Sequence, residues 1–310
     1  MADKGTATGW ESRFLDRPDG ARLRLARWGP TPDTPRAAVL ILHGRTEFNE
    51  KYQETAEDLQ RLGFAVWTFD WRGQGLSSRL LADRQRGHVE TYDVMADDLA
   101  AVIAAVKAEI GDLKLVLLAH SMGGHVAVRY LQTGAAEVAA AILSAPMLGI
   151  GNERFPNWLA RAMSRTAVAL GYAGGYALSQ RPWRPGRERF EGNPLTSDRN
   201  RHAIQQRWFA DNPDLVLGGV TWGWLDQSIR SGAELAVPER AARVAVPTLF
   251  AQAGRDVVVS QSAIERVAAL TPGAVLKLYP EARHEILMER DEIRDALLAD
   301  LDAFLKNLGI

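Results

Sequence analysis

Short apolar runs and longer amphipathic stretches alternate along most of this chain. Apolar runs of strand length cover residues 38–42, 64–69, 113–119, 139–143, 247–253 and 274–278. The run at 113–119 lacks polar alternation, which is typical of a strand buried on both faces. Helical patterns cover residues 52–62, 92–110, 123–132, 261–270 and 292–308. This alternation predicts an α/β fold with a mostly parallel sheet and helices on both faces.

The N-terminal part of the chain has a different pattern. Residues 14–15 and 21–28 flank a Pro-Asp-Gly turn, which predicts a hairpin. In the second strand of this hairpin, two leucines alternate with Arg22 and Arg24. Such alternation is typical of a half-exposed antiparallel strand, so we expect these arginines on its polar face.

The βα alternation is interrupted between about residue 147 and about residue 237. This segment contains five of the nine tryptophans of the chain, which are Trp158, Trp183, Trp208, Trp222 and Trp224. Between residues 151 and 210 we count about ten arginines against about four acidic residues. We interpret residues 147–237 as an inserted, mainly helical cap on a core formed by residues 1–146 and 238–310.

Two interpretations of the cap composition stay open. The tryptophans are expected either to pack the interior of a small subdomain or to line an apolar acyl tunnel under a lid. The arginines are expected either to form a solvated face or to attract anionic lipid surfaces and phosphate head groups. The second interpretation includes peripheral contact between the arginine-rich cap and a membrane surface.

Composition narrows the class of protein. The 310 residues are 46% hydrophobic and 24% charged, which is ordinary for a globular protein. A formal net charge of −1 predicts no nucleic-acid partner. The lack of cysteine excludes disulfides, thiolate catalysis and cysteine-ligated zinc. With no apolar signal-peptide core near the N-terminus and no run near about 18 apolar residues, we expect a cytoplasmic protein, with peripheral inner-membrane contact as a further expectation.

One serine stands where an apolar run stops. Ser121 follows the predicted strand that ends at Ala119, and Gly123 opens the next helix. This pattern predicts a sharp strand-to-helix turn that presents a nucleophile. The usual G-x-S-x-G motif has a glycine at the position of Ala119, which is a departure of one methyl group. The alternative is an ordinary strand–turn–helix whose serine caps the helix.

A serine nucleophile needs a base and an acid. His284 lies on the loop after the strand at 274–278, from which it can reach the ends of the other strands, so we expect it to be the base. Asp256 follows a glycine turn after the strand at 247–253, and we expect it to be the acid. The order Ser121, Asp256, His284 is the order of α/β-hydrolases. The other histidines are expected to be structural or peripheral: His43, His88, His120, His125 and His202.

The oxyanion of an acyl-transfer reaction needs two backbone donors. We expect one to be the N–H of Met122, directly after the nucleophile. We assign the other to the N–H of Arg45, in the His-Gly loop after the first parallel strand. The side chain of Arg45 is expected either to pair with Glu47 or to reach a substrate head group.

Five motifs surround the predicted site: His43-Gly44, Asp70 to Ser77, Ala119 to Gly124, Asp256, and His284-Glu285. Together they resemble the monoacylglycerol lipase and bacterial lysophospholipase branch of the α/β-hydrolases. Further segments are similar to bacterial inner-membrane-associated lysophospholipases: Leu80–Asp83, Gly87–Val89, Asn193–Asp198 and Gly218–Trp224. The resemblance extends from about residue 20 onward. It departs at Phe48, where the lipases often carry a second histidine.

The resemblance implies a serine carboxylester hydrolase that acts on lysophospholipids or monoacylglycerols, so the expected partner is a lipid ester or another small ester. No cofactor or metal is implied. An aminopeptidase, a thioesterase or a small-ester esterase would use the same triad and stays open. A non-catalytic ligand-binding homologue is a further alternative. Because the base must be neutral, activity is expected to rise with pH as His284 loses its proton.

Overall fold

The computed structural model describes residues 9–135, 137–151 and 157–310. Its strands are β1 (Trp10–Asp16), β2 (Arg22–Trp28), β3 (Ala38–Leu42), β4 (Ala65–Phe69), β5 (Leu115–His120), β6 (Ala140–Ser144), β7 (Thr248–Ala253) and β8 (Val275–Tyr279). They form one sheet in the spatial order β1-β2-β4-β3-β5-β6-β7-β8. The pairs β1–β2 and β2–β4 are antiparallel, and the other pairs are parallel. The expected α/β-hydrolase architecture is therefore confirmed.

The α-helices of the described residues follow the predicted pattern outside the insertion. They are α1 (Gln53–Arg61), α2 (Tyr92–Ile110), α3 (Met122–Leu131), α4 (Asn157–Ala169), α5 (Arg199–Asp211), α6 (Trp222–Leu235), α7 (Pro238–Ala241), α8 (Gln261–Leu270) and α9 (Asp291–Asn307). Local capping fixes some of their ends. The side chain of Thr91 accepts a hydrogen bond from a first-turn N–H of α2, and Ser260 does the same for α8.

The central strands are buried on both faces, and their side chains alternate between two hydrophobic cores. In β3, Leu40 and Leu42 belong to the core that α2, α3 and α8 cover. Val39 and Ile41 point to the opposite core, beneath α1 and α9. This period of two explains why the central strands appear in the sequence as continuous apolar runs.

The hairpin is present, but one expectation about it is wrong. Arg22 is exposed, whereas Arg24 is only 3% exposed. Arg24 is covered because Glu50, in the 3₁₀ turn Asn49–Tyr52, and Asp70, directly after β4, contact its side chain. The Arg24 guanidinium makes ion pairs with Glu50 and Asp70, which neutralise it inside the protein.

Residues 145–247 separate β6 from β7, although these strands are neighbours in the sheet. The insertion contains α4 to α7 and is less helical than expected. Residues 170–198 are irregular, because eight of them are glycine or proline. Helix α6 is held against α2 and α3 by hydroxyl contacts of Ser228 with Tyr92 and of Ser231 with His125, at 2.8 and 2.7 Å. The division into a core (1–146 and 238–310) and a cap (147–237) remains our proposal.

Candidate active site

Ser121 occupies the sharp turn between β5 and α3. Its φ of 50° lies in the left-handed region, which costs energy for a residue with a side chain and is common at functional sites. Gly123 allows the turn to close, since a Cβ there would lie 2.2 Å from the carbonyl oxygen of Leu42. Ala119, at the position of the usual first glycine, is fully buried. The extra methyl group therefore fits within the turn.

The three residues predicted as a triad lie together and are almost fully buried. His284 Nε2 is 2.9 Å from Ser121 Oγ, and His284 Nδ1 is 2.7 Å from Asp256 Oδ2. The loops after β7 and β8 bring the acid and the base to the carboxyl end of the sheet, beside the serine turn after β5. This is the hydrogen-bond chain through which a histidine activates a serine hydroxyl.

Asp256 is held as a carboxylate by its surroundings. Its Oδ1 accepts hydrogen bonds from the N–H groups of Val258 and Val259, at 2.7 and 3.1 Å. Burial acts to raise the pKa of Asp256, but the hydrogen bond and charge of His284 and the two N–H groups outweigh it and lower that pKa below its usual value. An ionised Asp256 favours the His284 tautomer that carries its proton on Nδ1, which leaves Nε2 unprotonated and facing Ser121 Oγ.

The loop after β3 approaches the serine turn closely. A Cβ at Gly44 would lie 2.8 Å from Glu47 Oε2, 2.9 Å from His120 Nδ1 and 3.2 Å from the Cβ of Ser121, so a larger residue would displace these side chains. Thr46 has a φ of 70°, and its N–H donates to Gln74 Oε1 at 2.6 Å. The glutamine belongs to the turn after β4, which therefore fixes the shape of this loop.

The two predicted oxyanion donors have free N–H groups within the described part of the chain. No hydrogen bond there uses the N–H of Arg45 or of Met122. Their role in an oxyanion hole remains a proposal. The Arg45 side chain does not pair with Glu47. Its Nη1 instead donates to the carbonyl oxygen of Gly218 at 2.8 Å.

A cavity of about 650 Å³ opens above the triad, with Ser121 and His284 in its wall. This volume lies within the range of about 300–1,000 Å³ that is typical of small-molecule sites. Two of the five cap tryptophans, Trp183 and Trp224, line the cavity. Trp158 is instead exposed. Trp183 and Trp224 are therefore the two cap tryptophans for which an acyl tunnel remains a proposal.

Sequence patterns alone do not single out the buried ionic cluster beneath the site. Lys51 Nζ lies 2.8 Å from carboxylate oxygens of both Glu47 and Glu285. His120 directs Nδ1 to Glu47 at 3.1 Å and Nε2 to the carbonyl oxygen of His284 at 3.3 Å. Because both partners are acceptors, this geometry suits the imidazolium form. The four-residue spacing of Glu47 and Lys51 was the one signal of this cluster in the sequence.

The cluster shifts the protonation of His120. Burial acts to lower the pKa of His120, but the charge and hydrogen bond of Glu47 outweigh it and raise that pKa. His120 thus supports the backbone of the proposed base, and it does not contact Ser121 as a base would. In the described residues, no group of three or more histidine or carboxylate side chains is arranged to hold a metal ion.

The remaining histidines make structural contacts, as expected, and so does Asp70. His43 Nδ1 lies 2.7 Å from the carbonyl oxygen of Gly44, within its own loop. Asp70 orders the floor of the site, since it accepts from Arg24 Nε at 2.7 Å and from the N–H of Asn49 at 3.0 Å. The other histidines contact the core edge or the insertion: His88, His125 and His202.

Comparisons with known proteins agree with this architecture. The sequence profile of the family described as "Serine aminopeptidase, S33" matches residues 33–291. Lysophospholipase L2 of Escherichia coli is 38% identical over 278 residues, which are 86% of this chain and 79% of that protein. A monoacylglycerol lipase of Mycolicibacterium smegmatis is 25% identical over 278 residues, 88% of this chain and 89% of that protein.

Solved structures show the same fold. A soluble variant of monoglyceride lipase from Saccharomyces cerevisiae, in complex with a substrate analog, matches with a TM-score of 0.77 at 21% identity. The match covers 99% of both chains. The chain belongs to the serine aminopeptidase S33 family of α/β-hydrolases and, like the relatives that it matches along most of its length, is a serine ester hydrolase.

Proposed function

We propose that this protein hydrolyses the carboxylic ester of a lysophospholipid, and that Ser121, His284 and Asp256 are its catalytic triad. The observation that carries this proposal is the hydrogen-bond chain from Ser121 through His284 to Asp256, at 2.9 and 2.7 Å, in the wall of a cavity. The choice of substrate is supported by the 38% identity to a lysophospholipase over most of both chains.

The reaction follows from the positions of these groups. His284 Nε2 takes the proton of Ser121 Oγ as this oxygen attacks the ester carbonyl carbon. The N–H groups of Arg45 and Met122 donate to the resulting oxyanion. When the tetrahedral intermediate collapses, the C–O bond breaks and His284 gives its proton to the leaving alcohol. His284 then takes a proton from water, which attacks the acyl-enzyme and releases the fatty acid.

The experiment is hydrolysis of a lipid panel by wild-type protein and the variant Ser121→Ala. We expect lysophospholipids among the best substrates and a loss of kcat of roughly 10⁴-fold or more in the variant. Asp256→Asn should also lower kcat by roughly 10⁴-fold, because the amide stabilises the wrong histidine tautomer. Ser262→Ala, at an exposed serine outside the cavity, is the matched control. Full esterase activity in Ser121→Ala would refute the assignment.

A neutral monoacylglycerol is the second candidate substrate. It is favoured by the similarity to the monoacylglycerol lipase of M. smegmatis over 88% of this chain. The panel should therefore contain lysophospholipids and monoacylglycerols of equal acyl length, together with aminoacyl and thioester substrates. A preference for acyl groups shorter than about four carbons would contradict both lipid assignments.

We also propose that the protein contacts a membrane surface through the insertion. Four large apolar side chains are exposed on α4 and the segment after it: Trp158, Leu170, Tyr172 and Leu178. Arg161 and Arg165 are exposed on the same helix. Apolar and basic side chains together favour the surface of anionic lipid. In the part of the chain that the structure describes, no helix combines the length and apolarity that crossing a bilayer requires.

A further inference from the structure

The side chain of Arg45 lies in the wall of the cavity and makes no ion pair with a described residue, although the charge of Glu188 on the cavity rim acts on it. Its one hydrogen bond within the described residues goes from Nη1 to the carbonyl oxygen of Gly218. No carboxylate oxygen of those residues lies within 4.0 Å of it. Burial lowers the pKa of Arg45 to about 10, so the guanidinium is still charged at neutral pH. A desolvated cation without a counter-ion is costly.

Other buried or half-buried cations of the described residues have anionic or carbonyl partners. Arg24 pairs with Glu50 and Asp70, and Lys51 pairs with two glutamates. Arg79 lacks a carboxylate partner but donates to the carbonyl oxygens of four residues. Arg45, by contrast, donates to one carbonyl oxygen, and most of its five N–H donors remain available toward the cavity.

The rest of the cavity wall adds positive charge. Arg181, Arg184 and Arg187 line the cavity from the irregular part of the insertion and are exposed. None of them makes an ion pair with a described residue. One acidic side chain, Glu188, lies on the same rim. The other two acids in the wall, Glu47 and Glu285, are already paired with Lys51.

We propose that the Arg45 guanidinium binds the phosphate of a phosphate-bearing ester substrate while the ester carbonyl lies at Ser121. The three rim arginines attract the same anion toward the mouth of the cavity. Because the backbone N–H of Arg45 is the proposed oxyanion donor, the length of one arginine side chain separates the proposed oxyanion position from the proposed phosphate position. The glycerol linker between the ester and the phosphate of a lysophospholipid has a comparable reach. This inference deepens the proposed function and rests on it for the position of the ester.

The first test compares a lysophospholipid with a monoacylglycerol of the same acyl chain, both below their micellar concentrations. The readout is the ratio of the two kcat/KM values, so a general loss caused by a disturbed oxyanion loop cancels. We expect Arg45→Gln to lower this ratio roughly 10- to 100-fold, mainly through KM for the lysophospholipid. Arg45→Lys should retain part of the preference for the lysophospholipid, because the positive charge stays but the planar guanidinium fork is lost.

Arg266→Gln is the matched control, since Arg266 is exposed on α8 and remote from the cavity wall. This variant should leave the ratio unchanged. An equal loss of both activities in Arg45→Gln would overturn the proposal, because it would show that the side chain only supports the loop through Gly218.

The second test measures inhibition of p-nitrophenyl ester hydrolysis by glycerol 3-phosphate, inorganic phosphate and glycerol. Glycerol 3-phosphate should compete in the wild type and compete at least 10-fold more weakly in Arg45→Gln. Equal inhibition by inorganic phosphate would assign the site to free phosphate. Inhibition that is unaffected by Arg45→Gln would overturn the proposal. If neither lipid is hydrolysed but this inhibition holds, the proposed function fails while the anion site stands.

Discussion

At the scale of single residues, the site depends on which atoms of each polar side chain already have hydrogen-bond partners. One oxygen of Asp256 is taken by two N–H groups, so the other is left for His284. His120 directs both ring nitrogens to acceptors and therefore takes no part in proton transfer from Ser121. The two histidines thus differ in role because they have different hydrogen-bond partners, although the ring centroids of His120 and His284 lie only 4.9 Å apart.

The raised pKa of His120 predicts a pH-dependent contribution to stability. The contribution is complete below the pKa of an unfolded histidine, about 6.5, and is lost as pH rises through the higher folded-state pKa. We therefore expect the free energy of unfolding of the wild type to exceed that of His120→Gln by a margin that shrinks above about pH 6.5. Urea titrations between pH 5.5 and 9.5 would measure it.

His88→Gln provides a control of opposite sign. Burial lowers the pKa of His88, so its neutral form is favoured in the folded protein. The difference in the free energy of unfolding between the wild type and His88→Gln should grow as pH rises toward about 6.5 and stay constant above it. If the difference in unfolding free energy between the wild type and His120→Gln stays constant or grows across the same pH range, the imidazolium assignment of His120 is contradicted.

At the scale of elements, the turn between β5 and α3 depends on close approach of backbone. Gly123 lies against the end of β3, and a Cβ at Gly124 would lie 2.6 Å from the Cβ of Pro146. Ala119 is in a different position, inside β5, where its methyl group belongs to the hydrophobic core. The glycines after the serine are therefore required by the turn, whereas the position before it accepts a methyl group.

Substitution at these two positions should have different effects. Ala119→Gly, which restores the usual motif, should lower the free energy of unfolding by about 1–2 kcal/mol, through loss of a buried methyl group and gain of backbone freedom. Its kcat should stay within about threefold of the wild type. Gly123→Ala should cost at least about 3 kcal/mol or prevent folding, because the obstructing atoms are backbone. Denaturant titration with esterase assays would check both, and a more stable Ala119→Gly would show that the methyl group is strained.

At the scale of the whole molecule, the insertion packs on the helices of the sheet domain and forms part of the cavity wall. Helix α6 is fixed on α2 and α3, and Arg201 of α5 lies 2.6 Å from both Glu54 of α1 and Asp291 of α9. The irregular stretch between α4 and α5 supplies the arginines and Trp183 of the cavity wall. The cavity wall that would contact a substrate therefore combines residues of the insertion with residues of the sheet domain, such as Arg45.

The proposed membrane contact makes a prediction at this scale. The double variant Trp158→Ser with Leu170→Ser should weaken binding to anionic phosphatidylglycerol vesicles by roughly 10-fold, since both side chains lose apolar burial in the interface. Leu278→Ser, at an exposed leucine on the edge strand β8, is the control and should have no effect. Vesicle co-sedimentation measures the partition. Equal binding of the double variant and the wild type would contradict the contact.

The sequence pattern predicts the βα order and, outside the insertion, the ends of the parallel strands and of the predicted helices to within one or two residues, whereas β1 begins four residues earlier than the hairpin pattern indicates. It also points to the three residues of the proposed triad, Ser121, Asp256 and His284, which the fold brings together. These features depend on local pattern: apolar runs, a small-residue turn and polar residues at strand ends. Tertiary structure decided the burial of Arg24, because the segment Asn49–Tyr52 and the turn after β4, both distant from it in the chain, contact its side chain. It also decided the partners of His120, and it left Arg45 without an ion pair to any described carboxylate. Contacts between residues far apart in the chain leave little periodic signal in one sequence, so only the folded chain shows which charges are paired.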